Sequence, residues 1–335
     1  MTTIKDLAKE SQLSLGTISN YLNGKEILPK NAEKIETAIK KLNYIPNKFG
    51  RHLRNPNTKT IGIITNKISA SYISKITSDF EHEFSQKGYE VLFCNSNENT
   101  EMEKNKLRFL IGNAVNTIIL FPVYYKESDI SEFENSEIPI ILCDQLVEKG
   151  GDNKFAVVND NVQMARELTK MLIDEGHTQI SCIAGNANHY STVTRIEGYK
   201  QALEAAGLPF DEKNVYYCDS QNELSYEATT KIINSNSHCT AVLITVNNML
   251  LGFLKAVDNA GLRICKDISY ATFSYEDYYS ILPQRPTYVS HNTLAISRVL
   301  TELVEKMVFS PDSVGTPKII YTKSDIIIGD SHKKL

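Results

Sequence analysis

From Thr60 onward, short apolar runs alternate with amphipathic segments, and that alternation restricts the chain to parallel, doubly wound sheets. The first series is TIGIIT, YEVLFCN, TIILFP and PIILCD, separated by stretches such as SYISKITSDFEHEFSQKG and EKNKLRFLIGNAV whose apolar residues recur at three and four. A second series follows with KFAVVND, QISCIAG, NVYYCD, AVLITV and ISYATF, and helices are expected to begin near Val162, Ile196, Leu224, Met249 and Tyr275. Parallel strands are covered on both faces by their crossover helices, which is why such runs are almost wholly apolar. Two similar α/β halves result, and a chain of 335 residues has room for a further small domain.

That further domain lies ahead of the strands. Residues 1–60 hold eleven Lys and Arg against five Asp and Glu, while the whole chain has a net charge of −4. A basic module on an acidic body is the asymmetry expected when one end meets a polyanion, although a solvated basic face would give the same charge count. Ile4, Leu7 and Ala8 mark one short helix, Gln12 and Leu13 a turn, and Ser14 the cap of a second helix carrying Leu15, Ile18, Tyr21 and Leu22. Asn23 and Gly24 end that helix, and Asn31 is expected to cap a third with Ile35, Ala38, Ile39 and Leu42. Helix, tight turn, helix is a form that enters a DNA major groove. Beyond it, Pro46 suits the first position of a short helix from Asn47 to Arg54. Fewer than about 12 residues are marginal as an isolated helix, so this segment is expected to order only against a partner.

Other function classes lack their residues. The six cysteines are scattered without a C-x-x-C pair and read as reduced core thiols, and seven scattered histidines form no H-E-x-x-H. No metal or cofactor is expected. There is no G-x-S-x-G, no G-x-x-x-x-G-K-[ST] and no G-x-G-x-x-G after a strand, so the chain is not expected to be an enzyme. The N-terminus shows no apolar signal segment and no run approaches ~18 apolar residues, which points to the cytoplasm and away from membranes.

TIKDLAKESQLSLGTISNYLNG followed by LNYIPNKFGRHLR resembles the headpiece of the LacI/GalR family of transcriptional regulators, and the similarity runs on to about Gly329. The resemblance implies a small all-α helix-turn-helix headpiece and an α/β core of two doubly wound subdomains, like that of periplasmic binding proteins. It implies a headpiece over 1–58 with a hinge helix at about 46–54, and a core over 59–331. Within the core, one subdomain would hold about 60–160 and 291–321, the other about 161–290 and 322–331, with crossings near Asn161, His291 and Tyr321. Such a protein would be a repressor that binds a palindromic operator as a homodimer under the control of a sugar or sugar derivative.

By the same resemblance Thr3, Ser14, Thr17, Ser19 and Asn23 meet phosphates, Leu15, Gly16 and Asn20 face base edges, and Tyr44, Asn47 and Arg54 add DNA contacts. Leu53 matches a leucine that wedges into the minor groove, beside Lys48, Arg51 and Arg54. Ser14 and Thr17 could instead be simple caps, Leu15 a core residue, and Leu53 a side chain packed on the body. Effector contacts fall on Tyr72, Asp144 at the end of PIILCD, Arg195 in RIEGY, Asn247 after AVLITV, and Ser274. As alternatives, Asp144 could cap a helix, Arg195 pair with an internal carboxylate and Asn247 shape a turn. Several positions depart from the family. Asn20 replaces an arginine and favours adenine over guanine. Thr272, Phe273, Ser274 and Tyr275 stand for G-F-D-D, Asn248 for an aspartate and Ser220 for an aromatic residue, so an altered or anionic sugar derivative is also open. A two-lobed solute-binding protein or an α/β enzyme are the rival readings.

Overall fold

The computed structural model describes residues 3–22, 25–42, 44, 59–152, 154–235, 239–274, 284–310 and 315–333. The expected contacts Asn23, Asn47, Leu53 and Arg54, the hinge helix and the helix expected near Tyr275 lie outside them, as does the side chain of Ser274. The chain divides into two units, Met1–Thr58 and Lys59–Leu335.

The first unit contains α1 (Ile4–Ser11), α2 (Leu15–Leu22) and α3 (Pro29–Leu42). Thr3 and Asp6 form a reciprocal capping box: the Asp6 amide donates to Thr3 Oγ1 at 3.3 Å and the Thr3 amide to the Asp6 carboxylate at 2.8 Å. Gln12 turns the chain with φ 57°, and Ser14 Oγ accepts from the Thr17 amide at 3.1 Å to start α2. The third helix begins at Pro29 rather than after Asn31, because proline's fixed φ and missing N–H suit a first helical residue. Asn31 already sits in the first turn, its amide bonded to Leu28 O at 2.8 Å. Leu7, Ile18 and Ile35 are fully buried and meet Ala38 and Tyr44 in one small core.

The second unit holds two six-stranded sheets. The first has the order β11-β5-β4-β3-β1-β2, all parallel, from β1 (Thr60–Thr65), β2 (Glu90–Asn95), β3 (Thr117–Leu120), β4 (Ile140–Cys143), β5 (Phe155–Asn159) and β11 (Ile319–Thr322). The second repeats that order as β12-β10-β9-β8-β6-β7, from β6 (Ile180–Ala184), β7 (Val215–Tyr217), β8 (Ala241–Ile244), β9 (Ser269–Ser274), β10 (Thr287–Ser290) and β12 (Asp325–Ile327). Among the described strands, only β12 runs antiparallel to its neighbour.

Helices cover both faces of each sheet. On the first sheet, α4 (Ser71–Gln86) and α10 (Thr293–Phe309) bury Phe80, Phe84 and Leu300 against Ile61 and Ile63, while α5 (Thr100–Gly112) packs Leu107 and Leu110 against Ile64. On the second, α6 (Asn161–Asp174) and α7 (Tyr190–Ala205) cover one face, and α8 (Asn222–Asn234) and α9 (Leu250–Asn259) the other. Helix α7 begins at Tyr190, six residues before the expected Ile196. The stretch YSTVT has no apolar period, and its helical form rests on tertiary burial of Thr192 and Arg195. Gly198 lets α6 and α7 meet closely, since a Cβ there would lie 2.2 Å from Val162 O. The chain passes between the sheets three times, at 159–161, 290–293 and 322–325, and places the buried polar residues Asn159, Asn161, His291, Thr322 and Ser324 at the passages.

Candidate DNA-facing helix and interlobe cleft

The second helix divides cleanly by exposure. Ile18 is fully buried, while Leu15 is 45% exposed and Gly16 and Asn20 are exposed on the opposite arc, with half-buried Ser19 between them. Leu15 is therefore not a core residue. The helix carries no charged side chain, so the chemistry it offers a base edge is the amide of Asn20 and the apolar surface of Leu15. Ser14 acts as a cap, its hydroxyl 2.9 Å from that of Thr17, and the Thr3 hydroxyl donates to Asp6 at 2.7 Å. Each oxygen keeps capacity for a further hydrogen bond. Tyr44, at 8% exposure, belongs to the headpiece core, where its ring completes the apolar wall beside Ile35 and Ala38.

In an open α/β sheet, ligands bind at the carboxyl ends of the strands beside the point where strand order reverses. Both sheets present those ends to one cleft, which encloses about 840 Å³ including its mouth. Tyr72, Asp144, Arg195 and Asn247 all line it, as expected from their positions. Asp144 follows β4 in a left-handed conformation, φ 66°, that aspartate tolerates better than most residues. Burial pushes its carboxyl above the ordinary range. The positive charge of Arg195 and hydrogen bonds from Tyr72 and Asn159 oppose that rise without cancelling it. Tyr72 accepts from Asn159 Nδ2 at 2.6 Å, and burial followed by the Asp144 charge holds its hydroxyl well above 10.

Arg195 is held from several sides at once, and its positive charge also acts on the buried Asp144 carboxyl. Its Nε donates to Asn161 Oδ1 at 2.9 Å, Nη1 to Thr245 O at 2.5 Å and Nη2 to His291 Nε2 at 3.1 Å, and the guanidinium lies 4.1 Å from the Phe273 ring centroid. Sequence reasoning marked His291 only as a crossing and missed Asn66, Gln145 and His189, which also line the cleft. The available signal was the place of Asn66, Gln145 and His291 just past strand ends, which His189, at the start of α7, does not share. At the mouth, Lys67 and Glu98 pair at 3.1 Å; both are about half exposed, so the pair contributes ~0–1 kcal/mol.

A helix-turn-helix unit joined to two lobes that share a strand-end cleft defines a DNA-binding regulator with a ligand-binding core, not an enzyme. Residues 3–47 match the family model for bacterial regulatory proteins of the lacI family, and residues 58–310 that for periplasmic binding proteins and the sugar binding domain of the LacI family. The chain belongs to the LacI family of transcriptional regulators. It is 32% identical over 314 residues to the HTH-type transcriptional repressor PurR of Pasteurella multocida (strain Pm70), covering 92% of each chain. It is 26% identical over 306 residues to catabolite control protein A of Priestia megaterium, covering 91% of this chain and 92% of that one. The fold matches the lac repressor dimer bound to operator and the anti-inducer ONPF, with a TM-score of 0.86 at 20% identity over 99% of both chains. It also matches the regulator CelR in complex with cellobiose, with a TM-score of 0.74 at 21% identity over 99% of this chain and 100% of that one.

Proposed function

We propose that the protein is a cytoplasmic repressor that binds a roughly palindromic operator as a homodimer and is controlled by a neutral sugar or sugar derivative in the cleft. The observation that carries this reading is the convergence of Asp144, Tyr72, Arg195 and Asn247 on one strand-end cleft in a chain that also presents Asn20 on an exposed helical arc. The contacts at Thr3, Ser14, Leu15, Gly16, Thr17, Ser19 and Asn20, the headpiece over 1–58 and the core over 59–331 belong to the same reading, with the chain's division after Thr58 in support. A neutral ligand is favoured over an anionic one because the cleft already sets its charges against each other: the positive charge of Arg195 acts on the buried Asp144, and Lys67 pairs with Glu98. Carboxylate and amide groups at a strand-end cleft suit hydroxyls. A second copy of the chain would cover the edge strand β2, whose Leu92 and Phe93 are 37% and 44% exposed.

The test joins both ends of the molecule. Duplexes are selected from a random pool by the full chain and by Asn20→Arg, and the recovered sites are expected to be inverted repeats that differ at one base pair per half-site, with discrimination of about 1–3 kcal/mol. Calorimetry against neutral sugars, sugar phosphates and sugar acids then identifies a ligand, and the selected duplex is titrated with and without it. Identical sites for both proteins, or a ligand that leaves DNA affinity unchanged, would overturn the reading, since coupling between the two sites is reciprocal.

A further inference from the structure

We infer that His291 is a positioning residue that fastens Arg195 to all three passages of the chain between the lobes, so that the place of the guanidinium and the angle of the lobes form one variable. The inference concerns the control of the cleft proposed above and rests on that reading for its biological use, though not for its geometry. His291 is 8% exposed and lies in the second passage. A guanidinium has only donors, so His291 Nε2, 3.1 Å from Arg195 Nη2, must be the acceptor. The ring proton therefore sits on Nδ1, where it faces Ser324 Oγ in the third passage at 3.0 Å. From the same guanidinium, Nε reaches Asn161 Oδ1 in the first passage at 2.9 Å.

A second chain of bonds closes the circuit. The Tyr72 ring, from the first lobe, lies 5.4 Å from the His291 ring, and its hydroxyl accepts from Asn159 in the first passage. Thr322 Oγ1, entering the third passage, donates to Asn159 Oδ1 at 3.2 Å, and the Asp160 amide to Thr322 O at 3.4 Å. Burial and the Arg195 charge hold the imidazole pKa well below 6.5, which keeps Nε2 free to accept. A ligand that draws Arg195 into the cleft must lengthen its bonds to Asn161 and His291, and loosening those bonds loosens the passages themselves. Hydrogen-bonded elements with two arrangements are the physical form in which such coupling travels.

The test uses the full chain without ligand, so its outcome is independent of whether a sugar binds. Amide hydrogen exchange is followed at 159–162 and 322–325 in His291→Phe, which keeps ring volume and loses both nitrogens, and in His291→Gln, which keeps an acceptor for Arg195. The phenylalanine variant is expected to exchange faster by about tenfold or more in both segments, as for loss of a bond to a charged group, with exchange in β1, β3 and β8 unchanged. The glutamine variant is expected to restore much of the protection at 159–162. Arg195→Lys should give the same pattern, and combining it with His291→Phe should add little, because both remove one connection. Ser324→Ala, a mild change, should raise exchange at 159–162 to a smaller degree. Unchanged exchange at 159–162 in Ser324→Ala, additive effects of the Arg195 and His291 changes, or acceleration spread evenly over the core would each overturn the inference.

Discussion

Glu103 shows how one side chain ties stability to pH. It is fully buried on α5, where its Oε2 accepts from the Val123 amide at 2.7 Å, while Oε1 has no hydrogen-bond partner among the described residues. Burial raises its pKa from 4.5 to about 7 against the opposing bonds from Ser128 and Val123. The folded state thus prefers the protonated acid. The stabilisation this gives is fully present below about 4.5 and is lost as pH rises through about 7. Glu103→Gln should flatten the dependence of melting temperature on pH between 5 and 8, removing a total pH-dependent change in stability on the order of 3 kcal/mol at most. Parallel pH profiles for the two proteins would show that Glu103 does not titrate in this range. Residues of this kind also mark where sequence reading ends. Asp144, Arg195 and Asn247 were legible because each sits at a strand end or in a recognisable run, whereas Glu103 is a buried polar group without period or motif, and the strand-end positions of Asn159 and His291 do not reveal their partners. Their roles appear only when distant segments are brought together.

At the scale of elements, the buried strands were the most legible parts of the chain, because a parallel strand covered on both faces must be apolar throughout. Runs such as AVLI in β8 and TIIL in β3 are buried at every position. The start of α7 was not legible, since Thr192 and Thr194 favour no helix by themselves and the segment is held by its packing. Gly198 within that helix argues the same point in energetic terms. Alanine there would gain about 1 kcal/mol of helix propensity, yet its Cβ would meet Val162 O at 2.2 Å and Ala165 Cβ at 2.9 Å. The first contact is backbone of α6 and cannot swing aside, so the helices must part at a cost of about 1–3 kcal/mol. Gly198→Ala should therefore lower the melting temperature, and a variant as stable as the parent would mean that the two helices separate freely.

For the molecule as a whole, the two lobes touch not only through the passages but also through loops that follow their strands. The segment after β3 reaches the segment before α7: the Tyr125 amide donates to Asn188 O at 2.7 Å, and Asn188 Nδ2 to Glu127 Oε1 at 2.7 Å. Tyr124 stacks on His189 with ring centroids 5.5 Å apart, and Gln145 Oε1 accepts from the Tyr190 amide at 3.0 Å. These bonds exist only while the lobes stay close, whereas the strand pairings within each sheet do not depend on lobe angle. Removing them should thus shift the lobe equilibrium without unfolding either lobe. Each bond contributes about 0.5–1.5 kcal/mol, so Tyr124→Ala combined with Glu127→Ala should favour the open arrangement by roughly tenfold. Small-angle scattering of the ligand-free double variant should give a larger radius of gyration for the core, with circular dichroism unchanged. Any ligand that bridges the lobes should bind more weakly by a similar factor, because it must first close what the parent chain already holds closed. An unchanged scattering profile would assign closure to the passages alone and leave the rim contacts as passengers.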